Sequence, residues 1–171
     1  AAGAVQLGAD VPGANGENVL MSWDVIAGKA QPGNKVAVIG GGLVGSETAE
    51  YLAEKGHKVT IVEMLPKIAS DVGSLVGALL LDRLSKRGVE LVTGAKLVSI
   101  GEHDVTVQKD EEKETLTGFD SVVIAIGSLP NDDLAERLEG AGIDYYVIGD
   151  AVRPRRITHA VFEGMKAAHE I

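Results

Sequence analysis

Cysteine is absent from the 171 residues, so the chain has no disulfide, no thiolate metal ligand and no thiol nucleophile of its own. Aromatic residues make up only 4%, too few for a platform on which bases stack. No apolar run approaches the roughly 20 residues that a membrane-crossing helix needs, and no charged-then-apolar leader points to export. Cations are short as well: 16 Lys and Arg stand against 25 Asp and Glu, a formal net charge of −9. That balance argues against nonspecific nucleic-acid binding, which draws on Lys and Arg against phosphate. His57, His103, His159 and His169 are scattered with no carboxylate or cysteine spacing, so no metal site is expected. These absences fit a cytoplasmic protein that engages neither nucleic acid nor membrane, and they leave its oligomeric state open.

What the chain has in quantity is glycine, 22 residues, beside an ordinary 45% of hydrophobic residues. The length suffices for one domain with a substantial core, or one domain plus a fragment of another. Ala1-Ala2-Gly3-Ala4 opens without an initiator Met, and Ile171 falls inside an amphipathic pattern. The expectation is a piece of a larger protein.

Turn signals at Pro12-Gly13, Asn15-Gly16 and Pro32-Gly33 make residues 1–33 an irregular connection, with a short helix around Ser22 to Ala27. Regular alternation starts at Lys35. Strand 36–39, helix 43–55 and strand 58–62 form a βαβ unit. A helix over roughly 71–87 follows, with Val72, Leu75, Val76, Leu79 and Leu80 as its apolar stripe, then a strand over 89–92. Three short antiparallel strands follow, Lys96 to Ile100, Val105 to Gln108 and Glu114 to Leu116, the last two joined at Asp110-Glu111-Glu112. The apolar strand Ser121 to Ile126 returns to the sheet and ends at Gly127. Beyond Pro130, a short helix over 131–140, a strand from Tyr145 to Ile148 and a helix over 156–170 are expected. Ile157, Ala160, Val161, Gly164 and Ala168 lie on one side of that last helix. The fold class is α/β: a Rossmann-like parallel sheet with a three-stranded antiparallel meander in place of one crossover, plus part of a second nucleotide-binding domain.

Val36-Ala37-Val38-Ile39 runs into Gly40-Gly41-Gly42-Leu43-Val44-Gly45 and then a helix, which is the phosphate corner of a dinucleotide-binding unit. Gly40 permits the tight reversal, Gly42 lets backbone amides approach a pyrophosphate, and Gly45 lets the helix lie against the sheet. The first-turn amides, with the helix dipole, face the anion. Glu63 ends the next strand about 20 residues on, where its carboxylate accepts the adenosine ribose hydroxyls, with Met64 beside it. A carboxylate there repels a 2′-phosphate and Lys67 is the only nearby cation, so NAD(H) is favoured over NADP(H).

With the glycine corner, the meander and Gly149-Asp150 placed, the chain resembles the two-dinucleotide-binding-domain flavoproteins. Three segments carry the resemblance: Ala1 to Ala4 as a strand end leaving the FAD domain, Val122 to Gly127 with Pro130-Asn131, and Val147 to Ala151 followed by 157–168. The style of Gly149 to Arg155 is similar to NADH:flavin oxidoreductases of the 2,4-dienoyl-CoA reductase, 2-enoate reductase and trimethylamine dehydrogenase group. The resemblance implies that residues 34–128 are an NAD(H) domain, with 1–33 and 129–171 as FAD-domain segments whose other half is missing. It implies that Glu47, Ile126 and Gly127 lie near the nicotinamide, and that Gly149 and Asp150 contact FAD. An N-terminal barrel with FMN and an iron–sulfur cluster would precede the module. NADH would then be the hydride donor and FAD the acceptor, with no catalytic acid–base pair in this segment. A fragment of a disulfide reductase or NADH oxidase, and a non-catalytic nucleotide-binding module, are the alternatives.

Overall fold

Val36, Ala37, Val38 and Ile39 are all buried, so successive side chains on both faces of this strand need cover. A computed structural model, which describes residues 3–170, shows what supplies it. In chain order the strands are β1 (Ala4–Gln6), β2 (Val19–Met21), β3 (Lys35–Ile39), β4 (Lys58–Val62), β5 (Glu90–Val92), β6 (Lys96–Ile100), β7 (Asp104–Lys109), β8 (Glu112–Thr117), β9 (Ser121–Ile124) and β10 (Ser128–Pro130). The helices are α1 (Ser22–Ile26), α2 (Leu43–Glu54), α3 (Ser74–Lys86), α4 (Asp133–Leu138) and α5 (Ile157–Glu170).

Two compact units divide the chain, residues 8–127 and residues 1–7 with 128–171. In the larger unit five parallel strands stand in the order β2-β9-β3-β4-β5. Val36, Val38, Val59, Ile61 and Val123 turn to one face, where Val25 of α1, Ala49 and Leu52 of α2 and Leu80 and Leu84 of α3 cover them. Ala37, Ile39, Val62, Val122 and Ile124 turn to the other face and meet Ile100, Val105 and Val107 of the antiparallel meander β6-β7-β8. The period-two alternation of a pleated strand therefore serves two different covers. Helices lie on one side and a small sheet on the other.

The segment 8–33 packs with this unit. β2 pairs with β9 at the sheet edge, the Asn18 side-chain amide donates to the carbonyls of Gly101 (2.9 Å) and Glu102 (3.0 Å), and Ile100 N donates to Pro12 O. Sequence reading found α1 here but not β2, whose three residues are too few to show a pattern.

On α3 the inward residues are Gly77, Leu80 and Leu84, while Leu75, Val76 and Leu79 are exposed. The expected stripe is thus corrected. Apolar residues occur all round this helix, so hydropathy could not tell which face meets the sheet. The helix begins at Ser74, leaving residues 66–73 as a loop.

In the smaller unit β1 and β10 pair antiparallel, Ala4 opposite Pro130 and Gln6 opposite Ser128. The first two residues of the expected strand end, Ala1-Ala2, lie outside the described residues, as does Ile171. Tyr145 to Ile148 form no strand, since no described segment pairs with them to complete a ladder. On α5 the more sheltered side is Ala160, Glu163, Gly164 and Ala167, whereas Ile157, Val161, Phe162 and Met165 are exposed. Again the largest apolar residues are not the inward ones. Among the described residues no helix is long and apolar enough to cross a membrane.

Candidate dinucleotide site

β3 ends at Ile39 and the chain reverses at Gly40, whose φ of 102° suits only glycine. A side chain at Gly40 would also stand 2.5 Å from the Ala125 carbonyl. Gly40 N donates to Val62 O at 2.9 Å, tying the turn to β4. Gly45 is tighter still: a Cβ there would lie 1.9 Å from Gly40 O, so α2 starts directly on the turn. Ser46, fully buried, donates from Oγ to Gly41 O at 3.1 Å and braces the loop from inside.

Glu63 sits at the C-terminal end of β4, buried at 8% exposure. Its Oε2 accepts the Gly41 amide at 2.6 Å and its Oε1 accepts the Leu65 amide at 2.7 Å. The carboxylate therefore clamps the glycine loop to its own strand end. Each oxygen retains further lone-pair capacity for a hydroxyl donor. Over the first turn of α2 a second carboxylate is in place: both oxygens of Asp71 lie 3.1 Å from Leu43 N. Gly42 has an ordinary φ of −68°, and a Cβ there would stand 3.3 Å from Asp71 Oδ2.

A cavity of about 580 Å³ opens over this corner, within the range of ligand clefts. Gly40, Gly42, Leu43, Val44, Glu63, Met64, Ile126 and Gly127 all line it. Gly41 and Gly45 are buried behind that surface. Glu47 is exposed on α2 and is not among the lining residues. Ala9, Asp10 and Val11 also line the cavity, from a segment read as an irregular connection.

In the smaller unit Gly149, at φ 66°, opens a 3-10 turn through Ala151. Its amide donates to Glu163 Oε2 at 2.7 Å, while Arg155 holds the other oxygen of Glu163 at 2.5 Å. The Gly149 amide, and then Arg155, keep the Glu163 carboxyl below the ordinary carboxylate value. Asp150 Oδ1 accepts Arg155 N at 3.1 Å and so shapes the approach to α5. Gly149 and Asp150 line a separate cavity of about 680 Å³ with Tyr145, Tyr146 and Leu134.

Residues 1–145 match the model of the pyridine nucleotide-disulphide oxidoreductases. The chain belongs to that family. It is 43% identical over 166 residues to an NADH oxidase of Thermoanaerobacter brockii, covering 94% of this chain and 26% of that protein. A bilirubin reductase of Mediterraneibacter gnavus is 38% identical over 170 residues, covering 99% of this chain and 26% of the other. A 2-naphthoyl-CoA reductase structure superposes with a TM-score of 0.91 at 27% identity, over 99% of this chain and 26% of that one. The chain thus spans about a quarter of the length of the relatives it matches.

Membership in the pyridine nucleotide-disulphide oxidoreductases implies a pyridine nucleotide, NAD(H) or NADP(H), and FAD. The glycine corner suits the pyridine nucleotide: a first-turn amide of α2 already holds an anion, the carboxylate of Asp71. Asp71 itself escaped sequence reading, which placed it at the start of α3. An acidic residue in the loop after Glu63 was the available signal, but only the fold brings it 28 residues back to Leu43. Glu163 was missed too, because no short-range pattern along α5 marks a residue that grips Gly149.

Proposed function

We propose that the chain is the dinucleotide-binding part of a flavoprotein oxidoreductase that takes NADH and passes its hydride to FAD. The observation that carries this reading is the placement of Glu63 beside the glycine corner, in one cavity with Leu43 and Val44. A dinucleotide needs an anion cradle and a diol acceptor close together, and these residues supply both. Residues 34–127, with the segment 8–33 packed on them, form the NAD(H) domain, and the remaining unit, 1–7 with 128–171, belongs to the FAD domain. The amides of Gly42, Leu43 and Val44 receive the pyrophosphate, the Glu63 carboxylate accepts the ribose hydroxyls, and Met64 flanks the adenosine. Ile126 and Gly127 border the nicotinamide, with Glu47 on the same side. Gly149 and Asp150 hold FAD.

FAD, when bound, supplies the hydride-accepting chemistry; the chain's own residues bind, orient and exclude water. Glu63 favours NADH because its buried charge opposes a 2′-phosphate. That the chain spans about a quarter of the NADH oxidase and bilirubin reductase relatives supports a larger parent. In our reading that parent carries electrons onward to a reducible substrate through FMN and an iron–sulfur cluster on an N-terminal barrel.

Titration with NADH and NADPH tests the reading. Tighter binding of NADH is expected, and Glu63→Arg should weaken NADH and relatively favour NADPH. Unchanged selectivity would remove Glu63 from the ribose site, and binding of neither nucleotide by folded protein would overturn the whole reading.

A further inference from the structure

We propose that Asp71 is an internal anion that occupies the phosphate cradle of the resting protein, is displaced when a dinucleotide binds, and so sets dinucleotide affinity. The inference rests on the nucleotide reading of this site. Its starting point is that the carboxylate lies where that reading puts the pyrophosphate. Both oxygens are 3.1 Å from Leu43 N, at the first turn of the 12-residue α2, and Oδ2 comes within 3.3 Å of the Cβ position of Gly42. Gly42 is the glycine whose missing side chain leaves room for phosphate, and Asp71 takes up that room.

The carboxylate is also delivered there by structure rather than by chance of a long side chain. Residues 66–73 are fastened to the glycine corner at two further points. Ala69 N donates to Gly41 O at 2.7 Å, and Ile68, buried, places Cδ1 2.4 Å from the Cβ position of Gly41. Ala69 adopts a left-handed φ of 52°, sparsely populated for a residue with a Cβ, and Val72 N closes a turn onto Ala69 O at 3.1 Å. The backbone of the loop is thus pinned while Asp71 itself is exposed. Clearing the cradle then calls for movement of the Asp71 side chain and not of the loop backbone.

Two anions cannot share the site. One amide cannot satisfy a carboxylate and a phosphate together, and like charges brought into contact repel. Binding therefore includes a step in which the Leu43 amide exchanges Asp71 for the ligand. The positive end of α2 never stands without an anion, and the free-state contact lowers the net gain from each dinucleotide bound.

Affinities of wild type, Asp71→Asn and Asp71→Ala for NADH, inorganic pyrophosphate and adenosine test the exchange, by calorimetry and by the ligand-induced rise in Tm. Asp71→Asn keeps an acceptor for Leu43 N without the charge, so it retains the fold. Removing the repulsion is expected to tighten NADH by about ten-fold and to raise the Tm shift with pyrophosphate, leaving adenosine, which has no phosphate, unchanged. Wild-type NADH binding that stays equal or weakens in Asp71→Asn would overturn the latch and leave the nucleotide reading standing. An adenosine response as large as that of NADH would also overturn it, since the effect would not act on phosphates. Failure of wild type and both variants to bind NADH would overturn the nucleotide reading and the latch with it.

Discussion

Glu63 accepts the Gly41 amide at 2.6 Å across 22 residues, so the carboxylate that ends β4 also fixes the glycine loop that follows β3. Its other oxygen accepts Leu65 N, which secures the loop after β4. One buried side chain therefore holds two loops of the same cavity in register. Glu63 has a structural duty even before any ligand is considered.

Replacing it should reveal that duty. Glu63→Ala leaves the buried Gly41 amide without its acceptor, and a buried unpaired donor costs about 1–3 kcal/mol. Glu63→Gln keeps one acceptor oxygen and should lose roughly half as much. Urea unfolding of the two variants checks the order. Equal stability of Glu63→Ala and wild type would mean that water replaces the clamp at no cost.

Gly42 and Gly45, three residues apart in the glycine motif, should behave oppositely. Gly45→Ala drives a Cβ to within 1.9 Å of the Gly40 carbonyl, a backbone atom that cannot step aside, and should destabilise by about 3 kcal/mol or more. Gly42→Ala meets only the Asp71 carboxylate at 3.3 Å and should change stability by less than about 1 kcal/mol while weakening NADH. Paired unfolding and binding curves separate the two effects.

The outward and inward faces of α3 allow a similar contrast. Leu80 is 1% exposed and packs among the core leucines and valines, so Leu80→Ala should cost about 2–5 kcal/mol. Leu79 is 53% exposed, and Leu79→Ala should stay within about 0.5 kcal/mol of wild type. Thermal unfolding of both variants decides which residues form the core.

Acid should act partly through the ion pairs that join α2 to α3. Arg83 Nε donates to Glu50 Oε1 at 2.7 Å and Arg87 pairs with Glu54 and Glu50. The Arg83 hydrogen bond, against some desolvation, holds the Glu50 carboxyl below its ordinary 4.5. A depressed folded value means that the pair's contribution is present above 4.5 and is lost as pH falls through the lower, folded value. Arg83→Met should therefore make Tm fall less steeply with acidification below 4.5, and added salt should shrink the wild-type slope. An unchanged slope would show that Glu50 titrates alike in folded and unfolded chains.

Strand and helix order was readable because β3, β4 and β9 are apolar β-branched runs and α2 follows directly on a glycine turn. The meander was readable from its change of period. Some short elements were not: β2 and β10 have three residues each and exist because a partner strand is present. Of the cavity, Gly40, Gly42, Leu43, Val44 and Glu63 could be named from spacing alone. Asp71, Ala9 and Asp10 could not, since they reach it from loops whose path no local pattern encodes.

By itself, the sequence determined the dinucleotide corner, because a glycine requirement at Gly40 and Gly45 arises from backbone crowding within a few residues. It likewise determined the acidic character of the next strand end. Only the tertiary structure decided which faces of α3 and α5 turn inward, since both helices carry apolar residues on more than one side. It alone decided that Glu63 clamps Gly41 and that Asp71 caps Leu43, contacts 22 and 28 residues apart along the chain. Such contacts depend on how strands stack and loops return, and a short-range pattern holds no record of that path.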